Sequence, residues 1–314
     1  MTRVILTRLA ALAVILLALS AIVFALEAMI PADPVRAMVG ASATKEAVAA
    51  KRHELGFDKP LPVQYLRFLG RAATGNLSDS LHTRRPVMTD LRAFLPATLE
   101  LAGAAAIIAA VLGGLLGIAT ARGRASVPRL LMLFYARWHV LPSSGRLSPG
   151  ITPPSGPTGL LVVDGLVHGR LDVVSDALWH LALPAFCLAL GPAVALGRTL
   201  RSSLRTVLTQ DHIRTARAKG LKERTVLLRH ALRSALNAPL TMGGLQVGLL
   251  LAGVVVIESV FAWPGVGLYT VQSISSTDFP AVAGVTLVLG ALYVVINALV
   301  DLAQVVADPR LRAA

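Results

Sequence analysis

The sequence predicts an all-α, polytopic membrane protein with about six transmembrane helices. Apolar residues make up 55% of the 314-residue chain and charged residues only 15%, whereas an average soluble domain is about 25% charged. The mean hydropathy is +0.68. Several apolar runs also approach or exceed the ~20 residues that an α-helix needs to cross a hydrocarbon core about 30 Å thick.

The first apolar run, Val4 to Leu26, follows Arg3 and contains one charged residue, Arg8. A secretory signal has a shorter apolar core of about 7 to 15 residues. We therefore interpret residues 1–26 as a retained first transmembrane helix. Later apolar runs predict four further spans, at Pro96 to Thr120, Ala177 to Leu196, Pro239 to Ala262 and Ala281 to Val306.

Residues 27–95, between the first two spans, form a polar segment with ten Lys or Arg and seven Asp or Glu. This composition predicts a module outside the membrane. Lys45 to Gly56 has apolar residues at helical spacing and a glycine stop, which predicts a short amphipathic helix. The stretch DKPLPVQYLRFLG after it predicts a proline-bounded turn and a second helix.

Basic residues in short loops indicate which side of the membrane each loop occupies. They flank the N-terminus, the turn after the second span, the 198–238 segment and the 307–314 tail, so we expect all four to be cytoplasmic and 27–95 to be extracytoplasmic. The chain must then cross outward between Arg129 and Ala177, where the apolar run is Leu130 to Leu141. Twelve helical residues rise about 18 Å, so the third of six spans is predicted to be truncated. Outside the 198–238 segment, the basic residues counted here are Arg3, Arg8, Arg122, Arg124, Arg129, Arg310 and Arg312.

The sequence lacks the motifs of a nucleotide, metal or redox site. It has no Gly-x4-Gly-Lys-Ser/Thr loop, no His-Glu-x-x-His and no Cys-x-x-Cys, and its seven histidines are scattered. The single cysteine, Cys187, lies in an apolar run and is interpreted as a packing residue. We therefore expect no catalytic residue and no metal site, and any energy source must lie in another chain.

The most polar helix-like passage is DHIRTARAKGLKERTVLLRHALR, from Asp211 to Arg233. Ten Lys or Arg between Arg198 and Arg233 stand against two acidic residues. Apolar spacing on either side of Gly220 predicts two short amphipathic helices separated by a break. Composition alone is compatible with a solvated basic loop, with anionic lipid or with nucleic acid. Tethering between two membrane spans argues against nucleic acid.

The order of residues in this passage resembles permease subunits of ATP-binding-cassette importers, in the dipeptide/oligopeptide/nickel family. The family's cytoplasmic loop reads much like DxxRTARAKGLxxxxVLxRHALRxAL, and LGFDKPLPVQY, LPATLELA, ESVFAWPGVG, PADP and DPRLR are also similar to family passages. The resemblance implies a type I importer permease fold with a coupling helix docked on a separate ATPase. The residues that match this ATPase-coupling loop are Asp211, Arg214, Thr215, Ala216, Arg217, Ala218, Lys219, Gly220 and Leu221.

The resemblance also implies a function, which is import of dipeptides, oligopeptides or a related small solute across a bacterial inner membrane. The implied partners are a second homologous permease, two ATP-binding subunits that hold ATP and Mg, an extracytoplasmic solute-binding protein and membrane lipid. No cofactor is expected on this chain. The truncated third span leaves an alternative, a non-conducting permease remnant that serves as a membrane scaffold. A secondary transporter would need internal repeats and midplane carboxylates, which the sequence does not display.

Two glycine pairs within the spans predict close helix packing. Gly113 and Gly117, and likewise Gly244 and Gly248, place small residues on one face of a helix.

Polar residues within the spans are costly and therefore candidates for function. Gln246 and Glu258 are the candidates for the substrate pathway. Glu258 lies near the outer end of its span, so capping or snorkelling of the side chain is the preferred interpretation. The following FAWPGVG stretch, Phe261 to Gly267, is typical of an aromatic anchor at the membrane interface, and a part of an outer gate or receptor-docking surface is the alternative.

Overall fold

The computed structural model describes residues 2–29, 44–55, 58–121, 142, 144–154 and 156–307. Regular structure in these residues is helical apart from an isolated β-bridge between Asp79 and Pro86, so the prediction of an all-α protein is confirmed. The predicted truncated span at Leu130 to Leu141, the PADP passage and the DPRLR passage lie outside the described residues.

Long apolar helices dominate the described chain. Four of its helices, α4, α6, α10 and α12, are long and apolar enough to cross a membrane, and α1 contains a shorter apolar stretch at Ala13–Ala25. These four helices coincide with four of the five full-length spans that the apolar runs predict, and the assignment of residues 1–26 as the first span stays a prediction. The helices are α1 (Thr2–Met29), α2 (Lys45–Leu55), α3 (Leu61–Ala73), α4 (Val87–Ala121), α5 (Leu161–Val167), α6 (Leu171–Leu208), α7 (Asp211–Ala218), α8 (Glu223–Thr225), a π-helix (Val226–Ala231), α9 (Leu232–Ala235), α10 (Asn237–Val260), α11 (Val266–Ser275) and α12 (Phe279–Ala307).

Two spans are longer in the structure than the apolar runs that predict them. Helix α4 begins at Val87 and includes Pro96 within the helix. Helix α6 has 38 residues, which corresponds to about 57 Å and exceeds a hydrocarbon core of about 30 Å. Three arginines of the predicted 198–238 loop therefore lie on a helical extension of this span, namely Arg198, Arg201 and Arg205.

The chain divides into two compact units. The first comprises residues 1–95 and 269–295. Here α3, the second helix predicted for the 27–95 module, packs on α1, because the ring of Phe24 lies 5.4 Å from that of Tyr65 and 5.8 Å from that of Phe68. In the same unit Asp278, just before α12, accepts hydrogen bonds from the Ser80 hydroxyl and from the backbone N–H of His82.

The second unit comprises residues 96–268 and 296–314. Its main apolar core is formed where α4, α6 and α10 meet. Alanines supply much of the α4 side, which lets the helices approach closely, while leucines of α6 and α10 fill the remaining space. The buried core residues are Ala97, Leu101, Ala105, Ala109, Leu181, Ala185, Leu188, Ala189, Ala193, Leu250, Val254 and Trp263.

The predicted close packing at Gly113 and Gly117 is confirmed. A Cβ atom added to Gly113 would lie 2.8 Å from the Cβ of Leu196, and one added to Gly117 would lie 2.8 Å from the Cβ of Leu200. Helix α4 therefore contacts α6 through these glycines. The second pair, Gly244 and Gly248, is half-buried, and its packing role stays a prediction.

Valine at Gly113 is expected to destabilise the protein, whereas valine at the adjacent Gly114 is not. A Cβ at Gly113 also meets the Ala193 carbonyl oxygen at 2.9 Å, while one at Gly114 meets no atom within 4 Å. Overpacking of this kind costs about 1–3 kcal/mol. The loss is read from thermal unfolding in detergent, followed by a thiol-reactive dye at Cys187. Equal shifts for the two variants would show that the loss does not come from the contact of Gly113 with α6.

Candidate functional site

The polar segment between α6 and α10 folds as a compact hairpin, which we call the basic hairpin and define as residues 209–236. Helix α7 is followed by a turn at 219–222, and then by α8, the π-helix and α9. Gly220 lies in the turn with φ +75°, a conformation that favours glycine. The prediction of two helical pieces separated near Gly220 is confirmed.

The basic hairpin has an apolar core of its own, which it shares with the end of α6. Ile213 and Val226 have no exposed surface, and Leu204 of α6 is also fully buried. The Ser203 hydroxyl of α6 donates a 2.8 Å hydrogen bond to the carbonyl oxygen of Ala235. The hairpin is therefore attached to a membrane span by packing and does not hang as a free loop.

The outward face of the hairpin carries most of the residues that the resemblance assigned to the coupling loop. Ala216 is the exception, because it is buried beneath α7. It lies three positions after Ile213, so both residues share the inward face of the helix. Ala216 therefore packs in the hairpin core and is not part of the outer face. The exposed members are Asp211, Arg214, Thr215, Arg217, Ala218, Lys219, Gly220 and Leu221.

Arg217 stabilises the turn of the hairpin through an ion pair with Glu223. Its guanidinium donates two hydrogen bonds to the Glu223 carboxylate, with N–O distances of 2.8 and 3.1 Å. These hydrogen bonds raise the pKa of Arg217 above its ordinary value. Arg214 makes a looser contact of 3.4 Å with Asp211 and its side chain stays 73% exposed. Arg217 therefore stabilises the hairpin, while Arg214 remains available to a partner.

The π-helix at Val226–Ala231 is a feature that sequence reasoning missed. Its wider turn buries Val226, Leu227 and Ala231 and leaves Leu228 and Arg229 exposed. Such π-helical stretches are rare and frequently occur at functional sites. The predicted apolar spacing marked this segment as amphipathic, but no local residue signal distinguishes a π-helix from an α-helix here.

Glu258 forms the centre of a second polar cluster, inside the second unit. It has no exposed surface. The Thr98 hydroxyl donates to its Oε1 at 2.6 Å, and the Leu268 backbone N–H donates to its Oε2 at 3.0 Å. The snorkelling interpretation is wrong, because a snorkelling carboxylate would be exposed to water. The capping interpretation is confirmed, because Leu268 lies in the first turn of α11. Backbone N–H groups in a first turn have no partner within their own helix, and the Glu258 carboxylate supplies one here.

The predicted aromatic anchor is instead a buried packing element. Trp263 is 1% exposed, and its Nε1 donates a 3.0 Å hydrogen bond to the carbonyl oxygen of Ala97. A Cβ on Gly265 would overlap the Glu258 carboxylate, and one on Gly267 would lie 2.7 Å from the Cα of Val255. The LPATLELA and ESVFAWPGVG passages therefore contact each other through Trp263 and Ala97. The two glycines let the turn after α10 fold back closely onto Glu258 and Val255 of that helix.

An ion pair between Glu100 and Arg146 adjoins this cluster, and sequence reasoning missed it. The closest N–O distance is 2.5 Å, and the side chains are 8% and 14% exposed. The Arg146 guanidinium carbon also lies 5.7 Å from the ring centroid of Trp263, which is within cation–π range. Glu100 accepts a further hydrogen bond from the backbone N–H of Val162. The pair therefore links α5 and the irregular segments 144–154 and 156–160 to helix α4.

Gln246, the other predicted pathway residue, is buried in α10 with 8% exposure. Its Nε2 donates to the Met242 sulfur at 3.5 Å within the same helix, and its place in a substrate pathway stays a prediction. Within the described ranges there is no group of three or more His, Cys, Asp or Glu side chains suited to a metal ion.

Fold and site together define a class of protein: a multi-pass helical membrane protein with a compact basic hairpin packed on the end of one long span. Comparison with known families gives the same class. A model of the binding-protein-dependent transport system inner membrane component matches residues 113–313, and a model of the N-terminal part of such components matches residues 1–102. The chain belongs to this family.

Individual relatives align over nearly the whole chain. It is 40% identical over 311 residues to the probable D,D-dipeptide transport system permease protein of Escherichia coli K12, with 92% of each chain covered. It is 39% identical over 313 residues to a di/tripeptide transport system permease protein of Pseudomonas aeruginosa, again with 92% of each covered. A dipeptide transport system permease protein of Escherichia coli K12 is 36% identical over 317 residues.

Membership of this family fixes the general role of the chain. It is a multi-pass permease subunit of the inner membrane and a transport component rather than an enzyme, and ATP hydrolysis lies in partner subunits. ATPase and substrate-binding partners follow from the family. Alignment over 92% of two full permeases does not favour the alternative of a permease remnant.

Proposed function

We propose that the chain is one permease half of an ATP-driven importer for dipeptides, oligopeptides or a related small solute. The peptide assignment is supported by the transport systems named for its relatives. The observation that carries the proposal is the basic hairpin, whose exposed outer face stands on a core shared with the span α6.

The proposed assembly contains a second homologous permease, two ATP-binding subunits that hold ATP and Mg, and an extracytoplasmic solute-binding protein. Both termini, including the 307–314 tail, and the 198–238 coupling loop are cytoplasmic. Residues 1–26 form the first span, 27–95 the extracytoplasmic helical insertion and 96–306 the permease core. The basic loops of the sequence support this orientation.

In this proposal the hairpin converts movement of an ATPase into movement of a span. An ATPase groove can close on a shallow exposed surface formed by Ala218, Gly220 and Leu221. The exposed residues around this surface are Asp211, Arg214, Thr215 and Lys219. Exposed ion pairs are worth only about 0–1 kcal/mol, so shape contributes more than charge to the contact. Ile213 and Ala216 of the hairpin pack in one core with Leu204 of α6. A displacement of the hairpin by the ATPase is therefore transmitted to α6.

The cluster around Glu258 has a complementary role at the other end of the same helices. Its carboxylate joins α10 to Thr98 of α4 and to the start of α11. Buried polar groups that are fully hydrogen-bonded fix geometry strongly. We assign Glu258 a positioning role, in which it keeps α4 and α10 together while the hairpin end moves.

Uptake into sealed vesicles tests the proposed function. Inside-out vesicles have the wrong direction for an importer, so proteoliposomes with ATP enclosed are mixed with the solute-binding protein and a radiolabelled dipeptide. Accumulation that requires enclosed ATP and is competed by unlabelled peptides is the expected result. Co-purification of the ATPase without uptake of any peptide would contradict the proposal and favour the scaffold alternative.

A further inference from the structure

Helix α3 of the 27–95 insertion has a broad apolar side that the chain covers only in part. On a helical projection Leu66 and Leu69 lie on one side, and Gln64, Arg67 and Arg71 lie on the other. No residue of α3 is buried. Leu66 is 66% exposed, and Leu61 at the start of the helix is 60% exposed. A substantial apolar surface therefore needs a covering.

The part of α3 that is covered contacts the first transmembrane helix. The Tyr65 hydroxyl lies 2.9 Å from the Ser20 hydroxyl and donates to the Leu17 carbonyl oxygen at 3.2 Å. The rings of Tyr65 and Phe68 both pack on Phe24. Three positions of α1, spaced three and four residues apart, thus form a strip along which α3 lies.

The position of this strip along α1 indicates how deep α3 lies. The apolar run of α1 ends at Leu26, and Ser20 and Leu17 precede it by six and nine residues. At 1.5 Å per residue these positions lie about 9 and 13.5 Å inside the end of the run. A tyrosine hydroxyl reaches only one side-chain length from its backbone, so α3 lies at the level of hydrocarbon and not in the water beyond it.

We propose that α3 is an interfacial helix embedded in the outer leaflet of the membrane. Leu66 contacts acyl chains, and Arg67 and Arg71 on the polar side of the helix face lipid phosphates. Helices of this kind lie with the apolar face about 5–10 Å into the boundary between headgroups and acyl chains, which matches the depth of the Ser20 contact. The assignment of α3 to the outer leaflet depends on the proposed orientation of the chain. The contact of α3 with lipid depends only on α1 crossing the membrane.

Spin labelling tests the lipid contact in the assembled importer in phospholipid vesicles. In a Cys187→Ala background, single cysteines carrying a nitroxide are introduced by Leu66→Cys and, as the matched control on the polar side of the helix, by Arg67→Cys. Collision of the label with oxygen reports lipid, and collision with a water-soluble nickel chelate reports water. We expect the ratio of oxygen to nickel accessibility to be several-fold higher at position 66 than at position 67.

Two results would overturn the inference. High nickel accessibility at position 66 would place α3 in water, and low accessibility to both reagents would mean that a protein partner covers it. A third label, Ile107→Cys, separates this failure from a failure of the proposed function, because Ile107 is 67% exposed in the span α4. If position 107 reports lipid and position 66 does not, only the inference about α3 fails.

Discussion

Replacement of Gly220 by tryptophan is expected to reduce ATP-driven uptake more than tenfold while ATP hydrolysis by the complex continues. A Cβ atom at Gly220 meets no atom of the described residues within 4 Å. The bulky side chain therefore projects from the turn into whatever contacts the hairpin, without disturbing the hairpin core. Uptake and hydrolysis are measured on the same proteoliposomes, so that uncoupling is seen directly as a changed ratio of the two rates.

Backbone strain must be separated from bulk in this experiment. Gly220 has φ +75°, and a non-glycine residue in the left-handed region costs roughly 1–2 kcal/mol. Asparagine enters this region more readily than other residues and is small. We therefore expect Gly220→Asn to retain most of the uptake. If the asparagine and tryptophan variants lose uptake equally, strain in the turn is the cause and the docking role of the surface is contradicted.

Replacement of Arg146 by alanine is expected to destabilise the protein strongly. The variant leaves the Glu100 carboxylate buried without its cation, and breaking a buried ion pair in this way costs about 3–5 kcal/mol. It also removes the contact between the guanidinium and the Trp263 ring. By the usual relation between free energy and melting temperature, the Tm falls by roughly 6–10 °C. Thermal unfolding followed at Cys187 with a thiol-reactive dye measures the change.

The exposed pair formed by Arg170 and Asp172 provides the control. These side chains are 38% and 57% exposed and approach to 2.6 Å, but an exposed pair is worth only about 0–1 kcal/mol. Arg170→Ala should therefore lower the Tm by at most about 2 °C. A fall at Arg146→Ala no larger than that at Arg170→Ala would mean that the Glu100 pair does not anchor the 144–160 segment.

Local features of the structure were predictable from the sequence because local residues determine them. The break in the basic hairpin follows from Gly220 between two amphipathic patterns. The contact of α4 with α6 follows from Gly113 and Gly117, since small residues four apart leave a groove on a helix. Even the two helices of the 27–95 insertion follow from a glycine stop and a proline start.

Features that depend on distant contacts were not predictable. The depth of Glu258 depends on Thr98, which lies 160 residues away. Nothing near Arg146 in the sequence indicates a carboxylate partner, because Glu100 lies 46 residues earlier, on helix α4.

Some helices were also predicted to be shorter than they are, for a physical reason. Apolar runs report where a helix lies in hydrocarbon, and they end at the first polar turn. Helix α6 continues as an amphipathic helix through Arg198, Arg201 and Arg205 because Leu200 and Leu204 pack against the hairpin. This continuation connects the hairpin to the membrane-spanning part of α6.

Cysteine cross-linking at two neighbouring alanines tests most directly whether the hairpin is gripped by an ATPase. In a Cys187→Ala background, Ala218→Cys places a thiol on the exposed face of α7, and Ala216→Cys places one in the core two residues away. With a short thiol-to-amine cross-linker, Ala218→Cys is predicted to form a covalent adduct with the ATPase subunit, and Ala216→Cys is predicted to form none. The contrary result is an Ala218→Cys thiol that forms no adduct and instead reacts with an impermeant maleimide added to intact cells. That result would contradict the docking of the hairpin on a cytoplasmic ATPase.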